Sequence, residues 1–260
     1  MVTGVLPLAV EDATKTIQAF LLTGKEYVCL MALHGDEQEK KVREVLDEFV
    51  GDILQRPPVR AAVRRDVRKR RIYYIRDVEI DGREVLFRVG CQAGTYIRKL
   101  VYDVGEVLGV GAHMRELRRT RAGSFTEAES LSLYDLMQLS EASSDQREAI
   151  ARHMVKPMES AFEYVPRIYI RDSAVSSICH GAELAVPGVV RFSEGIVPKM
   201  SIALFTLKDE LVALSKALMS SEQMLKEDHG IAAKTVRVIM PVETYPRLWK
   251  TKTVTVPAQS

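Results

Sequence analysis

Cysteine is scarce in this chain, and nothing in it is spaced to hold a metal. Cys29, Cys91 and Cys179 stand far apart and odd in number. Full pairing within the chain is therefore excluded, and buried thiols in a reducing compartment fit better. His34, His113, His153, His180 and His229 show no zinc-ligand spacing, and no Cys/His pair suggests a nucleophile with its base. Neither a metal nor an organic cofactor is expected. No apolar run approaches a membrane span. Val5 to Val10 is apolar, but it lacks a basic lead-in and runs into Glu11 and Asp12, so it is not a signal peptide. These absences predict a soluble, cytoplasmic protein. A net charge of only +2 names no partner by itself, and the distribution of charge has to do that.

What is present suits a globular protein. The 260 residues, 47% apolar and 28% charged, are enough for two ordinary domains, each with its own core. Glu11 to Leu22 has a helical pattern, and Lys25 to His34 is apolar on both faces, as in a central strand. Glu37 to Ile53 predicts an amphipathic helix, with Val42, Val45, Leu46, Phe49 and Val50 on one face. Arg56-Pro57-Pro58 is a stiff break. Val78 and Ile80 before Asp81-Gly82, then Val85, Phe87 and Val89, alternate as a hairpin. Composition shifts near residues 140–166, where a short helix leads to Lys156-Pro157. Beyond it the texture becomes short strands and turns: Ala185 to Val190, Met200 to Leu207 and Val236 to Met240. Met219, Met224 and Leu225 are expected in the core. The fold class is α+β, with one domain over 1–160 and a second over 166–250.

The stretch from Cys91 to Thr120 organises the first domain. It reads as a strand end, a Gly-Thr helix entry with Thr95 as N-cap, a helix, a glycine turn and a basic strand. Ile97, Leu100, Val101, Val104, Val107 and Leu108 make one apolar helical face. Gly109-Val110-Gly111 closes that helix and is a C-cap rather than a nucleotide loop. Arg98 lies off the apolar face in the first turn, where a cation opposes the helix dipole. It is either a solvated surface arginine or the partner of a carboxylate.

Charge is most concentrated from Arg56 to Arg71. Arg56, Arg60, Arg64, Arg65, Arg68, Lys69, Arg70 and Arg71 are set against Asp66 alone, and Ile72-Tyr73-Tyr74 follows. Arg115, Arg118, Arg119 and Arg121 form a second basic strand. Cations so crowded in a nearly neutral chain favour a polyanion, with nucleic acid ahead of a solubilising loop or an anionic membrane.

GTYIRKLVYDVG followed by GVGAHMRELRRTRAG resembles the pseudouridine synthase family that includes the bacterial tRNA enzymes and the archaeal and eukaryotic H/ACA, dyskerin-type catalytic subunit. The likeness spans nearly the whole chain, and RPPVRAAVRRDVRKRRIYYIRDVEI resembles the H/ACA form, in which this region is a loop that clamps substrate RNA. It implies a mixed, largely antiparallel sheet with flanking helices and a cofactor-free isomerisation of uridine in rRNA or tRNA. Tyr27 matches the family tyrosine that stacks on the flipped base, although a core strand tyrosine would look the same. Arg98 matches the partner of the catalytic aspartate, and Tyr96 and Leu117 match lining residues. Arg60, Arg64, Arg65, Arg68, Lys69, Arg70, Arg71, Arg118 and Arg119 are the implied RNA contacts. The catalytic aspartate of the family lies in a G-T-L-D-P-type motif just ahead of VTGVLPLA, and here only Met1 precedes that stretch. Asp12 and Asp36 match no catalytic position. The 260 residues alone are therefore expected to be inactive. Either they begin at an internal methionine of a longer polypeptide, or the first segment is supplied separately. His180 to Val190, Leu207 to Ala213 and Thr244-Tyr245-Pro246-Arg247-Leu248-Trp249 resemble a PUA domain, a small β-barrel that grips guide RNA, with Gly181 and Gly188 at turns or close approaches. The implied partners are substrate RNA, H/ACA guide RNA and small accessory proteins. The alternative is a non-catalytic RNA-binding scaffold or a fragment of a split enzyme.

Overall fold

The computed structural model describes residues 2–57, 66–145, 148, 152 and 155–247. The chain divides into two compact units, one holding residues 1–10 and 17–164, the other 11–16 and everything from 165 onward. In the first unit the strands are β1 (Val2–Gly4), β2 (Lys25–Leu33), β3 (Gly51–Gln55), β4 (Arg68–Asp81), β5 (Glu84–Cys91), β6 (Ala112–Ala122) and β7 (Phe125–Thr126). They form a seven-stranded sheet in the order β1-β6-β2-β5-β4-β3, with β7 on β6. Among the described strands of this sheet only the β1–β6 pair is parallel. The helices are α1 (Ile17–Leu21), α2 (Glu39–Glu48), α3 (Ile97–Leu108) and α4 (Leu133–Glu141).

β2 lies between β5 and β6, the central place its two-faced apolar composition predicts. One face of the sheet is closed by α2 and α3. Val42, Val45 and Leu46 from α2, and Ile97, Leu100, Val101, Val104 and Leu108 from α3, share a core with Cys29, Met31, Phe87 and Val89. A twelve-residue helix is marginal alone. Each of those buried aliphatic side chains adds about 1.5–3 kcal/mol, so packing holds α3 in place. Gly109, in the left-handed conformation, ends it as expected.

Several local expectations change. α2 stops at Glu48 rather than Ile53, because Gly51 takes φ 115° and turns the chain into edge strand β3. Val50 is exposed as a result. The helix expected from Glu11 begins as a 3-10 turn over Glu11–Thr16 and becomes α-helical only at Ile17. The N-cap of α3 is Tyr96 and not Thr95, whose hydroxyl instead donates to the Gln92 carbonyl at 2.7 Å. Val107 is exposed, and Gly105 takes its place on the buried face, where a Cβ would fall 2.2 Å from the Ala112 nitrogen. Arg68 to Arg71 belong to β4, paired with β3, rather than to a loop. Arg60, Arg64 and Arg65 lie outside the described residues, as do Leu248, Trp249 and most of the short helix expected before Lys156.

The second unit contains β8 (Arg167–Ile170), α5 (Asp172–Cys179), β9 (Leu184–Ala185), β10 (Val189–Phe192), β11 (Ser201–Phe205), β12 (Leu211–Ala217), α6 (Ser221–Lys226) and β13 (Ile231–Val238). Its six strands, ordered β10-β8-β11-β12-β13-β9, make a nearly closed, barrel-like sheet around Ile168, Ile170, Leu204 and Val212. Met224 enters this core and Met219 packs on it, but Leu225 is exposed on the outer face of α6. All three cysteines are free and buried, and burial pushes the Cys29 thiol up to about 12.

Gly90 gives a stability prediction. A Cβ there would lie 2.3 Å from Cζ of Tyr74. Gly90→Ala is therefore expected to cost about 1–3 kcal/mol, read as a lower urea midpoint at unchanged slope.

Candidate active site

The start of β2, the ends of β5 and β6 and the start of α3 meet at one end of the first unit's sheet. Register sets the side chains there. Lys25 pairs with Cys91 on one side and Ala122 on the other, and Tyr27 pairs with Val89 and Arg119. Tyr27 packs against the core beneath α3. Burial raises the pKa of its hydroxyl, and the Arg119 guanidinium works against that rise. Leu117 is two pairs further in, opposite Cys29 and inside the core.

Arg119 holds β1. Its Nε donates to the Val5 carbonyl at 2.7 Å, and its own carbonyl accepts the Val5 N–H at 2.8 Å. Gly4 comes so near that a Cβ would sit 2.1 Å from that carbonyl oxygen. Consecutive strand residues face opposite ways, so Arg118 is not with Arg119. It is exposed and ion-paired with Glu127.

At the start of α3, Tyr96 is half-buried, and Arg98 is exposed on the second residue of the helix. Arg98 makes no hydrogen bond or ion pair with any described residue. A cation in a helix's first turn is unfavourable by some tenths of a kcal/mol unless an anion faces it. Of the basic run, Lys69 pairs with Asp52 at 2.8 Å, Arg70 donates through Nε to the Gly94 carbonyl at 3.2 Å, Arg68 is half-buried and Arg71 is exposed.

Three residues at this end escaped the sequence reading. Lys25 donates to the Leu21 and Thr23 carbonyls at 2.7 and 2.6 Å, and burial followed by the nearby Arg119 charge lowers its pKa. Gln55 is buried and bonded to the Tyr96 backbone. Glu26, on the opposite face from Tyr27, gathers Tyr74, Arg76, Arg88 and Thr120. Among these, only Glu26 gave a signal, as an acid inside an otherwise apolar central strand.

In the second unit Gly181 follows α5 with φ 88° and open space around it. Gly188 borders a cleft of about 270 Å³ that is also lined by Ser173, Ser177, Glu183 and Leu184. Among the described residues no three His, Cys, Asp or Glu side chains gather as metal ligands. None of the described helices is long and apolar enough to cross a membrane.

Comparison with known proteins gives continuous matches. Residues 1–97 match the TruB family pseudouridylate synthase N-terminal domain, 98–163 the tRNA pseudouridylate synthase B C-terminal domain, and 166–239 the PUA domain. A probable tRNA pseudouridine synthase B of Methanopyrus kandleri is 56% identical over 97% of this chain and 75% of its own length. That of Pyrococcus abyssi is 54% identical over 95% of this chain and 75% of its own. The chain in a Cbf5-Nop10-Gar1 complex superposes with TM-score 0.90 at 52% identity, covering 95% of this chain and 76% of that one. An archaeal box H/ACA sRNP Nop10-Cbf5 complex gives 0.85 at 50%, with the same coverage. An H/ACA RNP bound to a substrate RNA containing 2′-deoxyuridine gives 0.83 at 48%, again over 95% of this chain and 76% of that one.

Proposed function

The chain belongs to the TruB family of pseudouridine synthases, which are isomerases, and from that membership we propose that it is the catalytic subunit of an H/ACA-type guide-RNA ribonucleoprotein acting on rRNA or tRNA. The observation that carries this reading is the superposition of 95% of the chain, at TM-score 0.90, on the chain of the Cbf5-Nop10-Gar1 complex. The proposed partners are guide RNA, the substrate RNA paired to it, and small accessory proteins of the Nop10 and Gar1 kind. The proposed boundaries are a catalytic domain over 1–160 and a guide-gripping PUA domain over 166–250.

In the reaction the C1′–N1 bond of a flipped-out uridine breaks and a C1′–C5 bond forms. The C5 hydrogen leaves and N1 gains one, so atoms balance without a cofactor. Taking the base from its stack costs a few kcal/mol, and a stacking surface with pocket contacts offsets it. Tyr27 supplies that surface near the start of β2, with Tyr96 and Leu117 as the further lining residues. Arg98 pairs with the catalytic carboxylate, orients it and keeps it ionised. The family resemblance sets that carboxylate in a G-T-L-D-P-type motif just ahead of Val2. Arg68, Lys69, Arg70, Arg71, Arg118 and Arg119, with Arg60, Arg64 and Arg65, neutralise phosphates, and Gly181 and Gly188 allow RNA backbone to approach the second unit.

A second reading, a stand-alone tRNA isomerase, is favoured by the names of the relatives. Tritium release from RNA carrying [5-³H]uridine separates the two. The guide-dependent enzyme is expected to turn over an rRNA or tRNA fragment at least about tenfold faster with a complementary guide RNA and the accessory proteins than without. Equal rates on tRNA alone would establish the stand-alone reading.

A further inference from the structure

Gln55 is the last residue of β3 and only 2% exposed, and both ends of its amide are engaged by the backbone of one other residue. Its Oε1 accepts the Tyr96 N–H at 3.0 Å, and its Nε2 donates to the Tyr96 carbonyl at 3.2 Å. Tyr96 is the N-cap of α3, and its side chain makes no capping bond. The same carbonyl accepts the N–H groups of Lys99 and Leu100 at 3.1 and 3.0 Å, which close the first helical turn. β4 grips the residues just ahead. Gln92 N–H donates to the Arg71 carbonyl at 2.8 Å, Arg71 N–H returns a bond to Gln92 Oε1 at 3.2 Å, and Arg70 Nε reaches the Gly94 carbonyl.

We infer that Gln55 is a positioning residue for uridine isomerisation: by holding both polar groups of the Tyr96 backbone, it sets where α3 begins and so where Arg98 stands. The inference rests on the role of Arg98 proposed above. Helix starts leave their first N–H groups unpaired and fray, and Gln55 fastens this one to the sheet at its N-cap. Glutamine carries donor and acceptor together, as a peptide does; glutamate keeps only the acceptor and leucine neither. A side chain that merely filled space would be replaced by leucine without consequence. One that places a reacting group would not, since misplacement by about 1 Å costs on the order of 10²-fold in rate. The Lys69–Asp52 ion pair at 2.8 Å links β3 to β4 at the rim, so the anchor for Gln55 is itself held.

The test uses the active enzyme, with the segment carrying the catalytic aspartate present in the same polypeptide or added separately, and tritium release under single turnover, RNA affinity and amide hydrogen exchange as readouts. Gln55→Leu is expected to slow isomerisation by about 30–100-fold, with RNA affinity within about twofold and faster exchange at residues 96–99. On an Arg98→Ala background Gln55→Leu should cost no further rate, because the two changes act on one placement. Wild-type rate in Gln55→Leu, or full additivity with Arg98→Ala, overturns the inference. A fully active Arg98→Ala enzyme instead removes the site reading itself, and that outcome is read without Gln55. Should Gln55→Leu not fold, Gln55→Glu carries the test. It is expected to lie between wild type and leucine in both rate and exchange, and wild-type values in both would overturn the proposal.

Discussion

Replacing Arg98 with alanine in the natural enzyme should lower the rate of pseudouridine formation by about 10²–10³-fold at saturating RNA, the usual loss when one preorganised charged partner is removed. RNA affinity should change by less than about threefold, since Arg98 is one cation among many on this surface. Folding should not suffer. Arg98 is exposed and bonded to no described residue, and it opposes the dipole of α3, so its removal is neutral or stabilising by up to about 1 kcal/mol. A residue that burdens its own helix and whose loss spares stability is held there by function. Arg98→Lys should recover little, because a point charge does not reproduce the two-pronged grip of a guanidinium on a carboxylate. The same variants decide between enzyme and scaffold. An RNA-binding scaffold would show no isomerisation in the natural polypeptide and no dependence on Arg98.

The sequence disclosed most where a pattern was local. The β4–β5 hairpin was readable because Asp81-Gly82 interrupts alternation on both sides, and Gly82 adopts φ 56°. α3 was readable from its apolar spacing and its glycine stop. The end of α2 was not, because Phe49, Val50 and Ile53 continue the helical period past Glu48, and only the backbone of Gly51 overrides it. Arg118 and Arg119 looked like one basic pair, yet strand geometry sends one to Glu127 and the other to Val5. Gln55 and Tyr96 are 41 residues apart and meet only through sheet order, which nothing local encodes. The residues proposed for the site came from family likeness; composition and periodicity alone left both Arg98 and Tyr27 with ordinary structural explanations.

Glu26 should prove the most stability-critical charge in the first unit. Only 7% exposed, it lies on the sheet face opposite Tyr27. Its Oε2 accepts from the Tyr74 hydroxyl at 2.6 Å and from Arg76 at 3.1 Å, and its Oε1 from Thr120 at 2.8 Å and Arg88 at 3.1 Å. A bulge between Arg76 and Glu79, with Asp77 at φ 53°, places the Asp77 carboxylate on Arg88 at 2.9 Å, while Arg121 reaches the Tyr74 hydroxyl at 3.1 Å. Burial by itself would raise the Glu26 pKa. The hydrogen bonds from Tyr74, Thr120 and Arg88, with the Arg88 charge, hold it down to about 2 instead. Glu26→Ala leaves two arginines, a phenol and a hydroxyl facing one another without their shared acceptor. The expected loss is about 3 kcal/mol, or roughly 10 °C in Tm. Glu26→Gln keeps an acceptor and should lose about half as much. The sign of the pH dependence follows from the depressed pKa. The stabilisation is complete above the ordinary value of 4.5 and drains away as pH falls from there toward 2. Urea titrations between pH 2 and 7 should show a steep acid limb in the wild type that is flattened in Glu26→Gln. Identical acid limbs would mean that the cluster is hydrated and that the arginines, not Glu26, set its energy.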